Sequence, residues 1–270
     1  MLKHRLIPNI ILNNGNVIQS INFKHTNVIG NAITAVDFFN SWAVDEIIIL
    51  DVSRTVDYRY SFHKIINGLS KRCFVPLTVG GWVKSIEEIR ELLKEGADKV
   101  SVNTGAIDYP DLIRESSQVF GSQCIVVSID VKKNVDKEYE VFADRGKKPT
   151  GLHPIEWAKR AESLGAGEIL LTSIDRDGMG KGYDLELIRL VSESVTIPII
   201  AFGGVGEWQH LVDGIIIGKA DAVSAANIFH FTEHSTYNAK EFMYKAGLNV
   251  RLPKFYNVPT PRRPKYNEIY

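Results

Sequence analysis

The chain has 270 residues, 44% of them hydrophobic and 24% charged, and 32 basic side chains balance 32 acidic ones. That is the composition of one soluble globular domain, and a zero formal charge gives no electrostatic reason to bind a phosphate backbone or an anionic bilayer. No nucleic-acid or membrane partner is expected. No apolar run approaches the roughly 18 residues of a bilayer span and the start MLKHRLIPN lacks a signal-peptide core, so a cytoplasmic protein is expected.

In chain order, eight short runs rich in Ile, Val and Leu alternate with amphipathic stretches. They are RLIPNII (5–11), EIIILD (46–51), VPLTVG (75–80), DKVSVN (98–103), CIVVSID (124–130), EILLTS (168–173), PIIAF (198–202) and DAVSAA (221–226). Such runs read as parallel strands buried on both faces. SIEEIRELLKEGA (85–97) and GLHPIEWAKRAESLGA (151–166) read as helices, the first opening on a capping box, Ser85 with Glu88. Eight β/α units without a linker predict an α/β chain folded as a (β/α)8 TIM barrel over residues 1–252. The proline-rich, basic and aromatic residues 253–270 form a C-terminal extension. Cys73 and Cys124 are expected as small core residues.

The sequence also repeats. EIIILDVSR at 46 returns as EILLTSIDR at 168, ADKVSVNT at 97 as ADAVSAAN at 220, and VGG at 79 as FGG at 202, always 122 or 123 residues on. That period is too long for a solenoid and implies two half-barrels of four units each.

In such barrels the chemistry sits at the C-terminal strand ends. Two glycine pairs followed by short polar ends suggest a phosphate cradle in each half: Gly80, Gly81, Asn103 and Thr104, and Gly203, Gly204, Ala226 and Asn227. The same glycines could simply turn the chain. Asp130 closes an otherwise apolar strand and is the leading acid/base candidate, the alternative being a loop cap. Asp51 is its companion for gripping a diol, with Thr172, Ser173 and Asp177 as further substrate contacts. At the opposite strand ends, Arg5, Glu46, Lys99 and Glu168 are either four solvated charges or a ring of ion pairs around the axis. The seven histidines show no metal-ligand spacing, so no metal or cofactor is expected.

These residues resemble the cyclase subunit of imidazole glycerol phosphate synthase, the HisF family, over residues 1 to about 252. The segments that carry it are RLIP (5–8), VPLTVGG (75–81), GADKVSVNT (96–104), GSQCIVVSID (121–130), KKPTG (147–151), LGAGEILLTSIDRDG (164–178), GYDLEL (182–187) and IFHF (228–231). The resemblance implies a phosphate site in each half, a HisH-like glutaminase docked on the N-terminal face near Asp98, and ammonia passing through an entrance gated by Arg5, Glu46, Lys99 and Glu168. It implies two catalytic aspartates, of which Asp130 matches one while Ile11 stands where the other belongs. Gln19, Trp82 and Phe202 replace a lysine, a glycine and a serine of the family pattern. An intact gate beside Ile11 is similar to second-copy HisF-like proteins of surface-glycan sugar amidation. The expectation is therefore ammonia delivery to a phosphorylated or nucleotide-linked sugar, with an ATP-using sugar amidotransferase as a further partner. The alternatives are an authentic cyclase of histidine biosynthesis and a non-catalytic scaffold that activates the glutaminase.

Overall fold

Runs that are short, β-branched and apolar on every side become strands only where both faces are covered, and this chain supplies a helix after nearly every one. The computed structural model describes residues 3–55, 57–231 and 234–255. Its first half comprises β1 (Arg5–Asn13), β2 (Asn16–Ile21), β3 (His25–Gly30), α1 (Ala32–Ser41), β4 (Ile47–Asp51), α2 (Asp57–Ser70), β5 (Leu77–Gly80), α3 (Ile86–Lys94), β6 (Lys99–Val102), α4 (Thr104–Asp108) and α5 (Asp111–Phe120). The second comprises β7 (Ile125–Lys133), β8 (Tyr139–Ala143), β9 (Lys148–Pro149), α6 (Pro154–Ser163), β10 (Glu168–Ser173), α7 (Leu185–Ser192), β11 (Ile199–Phe202), α8 (Trp208–Ile216), β12 (Ala222–Ala225) and α9 (Ser235–Lys245).

Eight parallel strands close in the order β1, β4, β5, β6, β7, β10, β11, β12 and back to β1, a (β/α)8 TIM barrel. All eight predicted runs are barrel strands. The sequence reading lacks two antiparallel arms, β1–β2–β3 and β7–β8–β9, which prolong the first strand of each half to Asn13 and Lys133. A signal for the first was present: Asn14 and Gly15 both take positive φ, 52° and 78°, as an Asn-Gly hairpin turn requires.

Strand alternation divides the apolar side chains in two. Leu6, Ile10, Leu12, Ile47 and Ile49 pack outward under the helices. Ile7, Ile11, Ile48, Val126, Leu170, Ile200, Phe202 and Ala222 fill the barrel interior. The capping box on α3 forms as expected. Cys73 and Cys124 lie partly buried against the outer core, not deep within it, because both precede a strand where the chain is still entering the barrel. Burial raises the Cys73 thiol to about 11.

At the bottom of the barrel one device is used three times. Asp45, Asp98 and Asp221 each accept the backbone N–H of the neighbouring strand, at Leu6, Leu77 and Ile199, at 2.8 to 2.9 Å. Lys240, wholly buried, locks α9 onto this end by donating to Ala43 O at 2.7 Å and pairing with Asp45. Burial pushes its ammonium pKa down, and Asp45 opposes the shift. Among the described residues no helix is long and apolar enough to cross a membrane. The C-terminal extension lies outside the described residues from position 256 onward.

Candidate active site

The C-terminal strand ends open into a cavity of about 780 Å³, lined by Ile11, Asp51, Gly81, Trp82, Asn103, Thr104, Asp130, Thr172 and Asp177 among others. A smaller cavity of about 220 Å³ holds Gly203, Gly204, Ala226 and Asn227. Phe202 and Asp177 line both and stand between them. Two expected site residues are misplaced. Ser173 follows the inward Thr172, so alternation turns it out of the cavity, and Gly80 is closed in by Leu50 and Ser101.

Asp130 accepts from Asn103 Nδ2 at 3.1 Å and Ser128 Oγ at 3.4 Å. Removal from bulk water raises its pKa to about 7, against hydrogen bonding by Thr172 and Ser128, and the nearby Asp177 charge adds to the rise. Its carboxyl is still reached from the cavity, so it can exchange a proton with something bound there. Asp177 is raised to about 6, again by burial, and accepts from Ser20 Oγ at 2.5 Å and Phe23 N at 3.3 Å. The β2 arm therefore builds part of the site.

The first cradle differs from its expected form. Asn103 does not cap α4; its amide serves Asp130 and Ser128 O. Thr104 Oγ1 accepts Asp144 N at 3.0 Å. Trp82, at φ 64°, occupies a left-handed conformation unusual for a bulky residue, and its indole N–H donates to Asp51 Oδ2 at 2.8 Å. Ser53 holds the other Asp51 oxygen. Gly81 has φ 117°, and a Cβ there would stand 2.6 Å from Asp51 O. Gly81→Ala should therefore cost about 2 to 3 kcal/mol in urea denaturation and displace Asp51.

Sequence reasoning missed the charge around this cavity: Lys24, Arg54, Lys84, Arg145 and Lys148 all line it. Arg145 lies over the Trp82 ring, 5.9 Å from its centroid. No lysine or arginine among the described residues lines the smaller cavity. The spacing of these cations carries no motif; only the antiparallel arms after β1 and β7 and the loops after β4 and β5 bring them together. In the second cradle Asn227 donates to Ser20 O at 3.2 Å, again engaging the β2 arm.

At the other end of the axis the four charges meet. Arg5 bonds Glu46 at 2.8 Å and Glu168 at 3.1 Å, and Lys99 bonds both carboxylates at 2.9 Å, closing a ring of alternating sign. Thr78 Oγ1 donates to Glu46 at 2.6 Å. Burial works against the Arg5 charge, yet Glu168 and Glu46 together raise its pKa above the ordinary value. Asp98 is exposed on this face, with one carboxylate oxygen committed to Leu77 N.

The model of the histidine biosynthesis protein family matches residues 5–235. A putative imidazole glycerol phosphate synthase subunit hisF2 of Vibrio vulnificus (strain YJ016) is 50% identical over 252 residues, 93% of this chain and 92% of that protein. The imidazole glycerol phosphate synthase subunit HisF of Chloroherpeton thalassium (strain ATCC 35110 / GB-78) is 47% identical over 93% of this chain and the whole of its own length. The chain belongs to the HisF family. Within this HisF-type barrel, all four residues that the resemblance marks as departures line the cavities: Ile11 and Trp82 the large one, Gln19 the small one and Phe202 both.

Proposed function

We propose that this chain is the ammonia-consuming synthase subunit of an imidazole glycerol phosphate synthase-type complex. The observation that carries the reading is the closed Arg5–Glu46–Lys99–Glu168 ring at one end of a barrel whose other end holds Asp130 in a cation-lined cavity of about 780 Å³. A HisH-like glutaminase docks around Asp98 and releases ammonia against the ring. Asp130, poised near neutrality, moves the proton. Asp51, Thr172 and Asp177 orient the acceptor. The more anionic end of a phosphorylated ligand goes to the cradle of Gly81, Asn103 and Thr104 with its cations, and a less charged end to Gly203, Gly204, Ala226 and Asn227. Imidazole ring closure is the acceptor chemistry favoured by the names of both relatives, neither of which is named for glycan chemistry.

A second reading rests on Ile11 and Phe202. Isoleucine moves no proton, and Phe202 divides the two cradles, so a different acceptor, such as a sugar amidated with the help of an ATP-using amidotransferase, would suit this site. Ammonia-dependent turnover of the family's cyclase substrate by the purified chain decides between them. Turnover by the native chain supports imidazole ring closure. Its absence, with Ile11→Asp gaining a factor of about 10² or more as a second acid/base group is restored, supports the changed acceptor.

A further inference from the structure

Between the ion ring and the cavity floor, one side chain is out of keeping with its surroundings. Asn9 is wholly buried, and neither its Nδ2 nor its Oδ1 has a hydrogen-bond partner among the described residues. Its direction follows from β1: Leu6, Ile10 and Leu12 pack outward and Ile7 and Ile11 inward, so Asn9 faces the barrel axis. On one side it stands in register with the inward Ile48 of β4. On the other, Ile7 is in register with Ser224 of β12, which is also wholly buried and whose Oγ also lacks a partner among the described residues. Asn9 and Ser224 are thus diagonal neighbours on adjacent strands, both turned into the same interior. Neither lines the Asp130 cavity, which Ser101, Ser128 and Thr172 line.

An amide and a hydroxyl without partners in an apolar interior are costly, and leucine, with the same branched outline, would avoid that cost at position 9. We infer that Asn9 and Ser224 form a station on the barrel axis for one small, uncharged, hydrogen-bonding molecule, ammonia or water. The amide offers donors and an acceptor, and the hydroxyl offers both. The apolar cluster of the interior, Ile7, Ile48, Val126, Leu170, Ile200 and Ala222, supplies no counter-charge for ammonium, and the ring carboxylates are already paired with Arg5 and Lys99, so the guest is neutral. Placed between ring and cavity, the station would bind ammonia midway along its route; this choice of guest rests on the proposed function, whereas the station itself rests on Asn9 and Ser224 alone.

Crystals of the native chain good enough to place waters should show a density peak within hydrogen-bond distance of the Asn9 amide and Ser224 Oγ, and the peak should vanish in Asn9→Leu. An Asn9 amide bonded only to protein, with no peak, overturns the station, and this arm needs no variant to fold. The guest is identified in the glutaminase-coupled complex. There, product formed per glutamate released should fall about fivefold in Asn9→Leu, the equivalent of one neutral hydrogen bond, and Asn9→Ser, which keeps a donor and an acceptor, should recover most of it. A peak that the variant abolishes while the ratio stays unmoved makes the guest water and overturns the ammonia assignment. No product from glutamine in the native complex would overturn the proposed function instead, leaving the density to judge the station.

Discussion

Asp130→Asn is expected to lower ammonia-dependent turnover by about 10²- to 10⁴-fold, the usual worth of a placed acid/base group. Among the described residues it is the one carboxyl in the mouth whose environment brings its pKa to about 7 while leaving it open to the cavity. Acting as the base, it should make the rate rise with pH up to about 7 and level off above. Because the Asp177 charge contributes to that rise, Asp177→Asn should move the inflection to lower pH. A flat pH profile across this range would remove Asp130 from proton transfer.

The stability of the same variant should move the opposite way. Burial disfavours the Asp130 carboxylate, so its folded pKa lies above the ordinary 3.8. Below that value the group is protonated in both folded and unfolded chains and no penalty exists. As pH rises toward 7 the unfolded chain ionises readily while the folded one resists, and the native protein loses stability relative to Asp130→Asn. Denaturation midpoints of the two should therefore coincide in acid, diverge in favour of the variant up to about pH 7, and run parallel above. Loss of activity together with a gain in stability separates a catalytic role from a merely structural one.

The barrel was legible because parallel strands buried on both faces leave uninterrupted apolar runs, and because the repeat placed four units in each half. The arms β2–β3 and β8–β9 were not, since half-exposed strands such as NVIQSI carry mixed polarity and their pairing depends on turns. Among site residues, Asp130 was legible as a polar group closing an apolar strand, whereas the four strand-start charges read equally as solvated groups, and only the family resemblance pointed to a ring. Ser173 was misread because a strand end gives position but not face. Asn103 looked like a cradle residue, and only the fold shows its amide turned to Asp130. The cations of the large cavity and the unpartnered Asn9 depend on which residues the closed barrel brings together, which no local pattern records.

Glu46→Gln should cost about 3 kcal/mol, equivalent to a fall of roughly 6 to 12 °C in Tm for a chain of this size. Glu46 is the pivot of the ring: its side chain is only 2% exposed and accepts from Arg5, Lys99 and Thr78. Removing its charge leaves two cations facing Glu168 alone, and the penalty is that of a buried charge left uncompensated more than of any single lost bond. For that reason the double variant Glu46→Gln with Lys99→Met should recover much of the lost stability, since Arg5 and Glu168 remain a balanced pair at 3.1 Å and the methionine keeps the lysine's apolar stem. Additive losses in the cycle would mean that the four charges act independently. If the ring gates ammonia as proposed, both variants should also lower the product formed per glutamate in a glutaminase-coupled complex, because neither restores a closed ring across the axis, and this would separate control of passage from the ring's contribution to the fold.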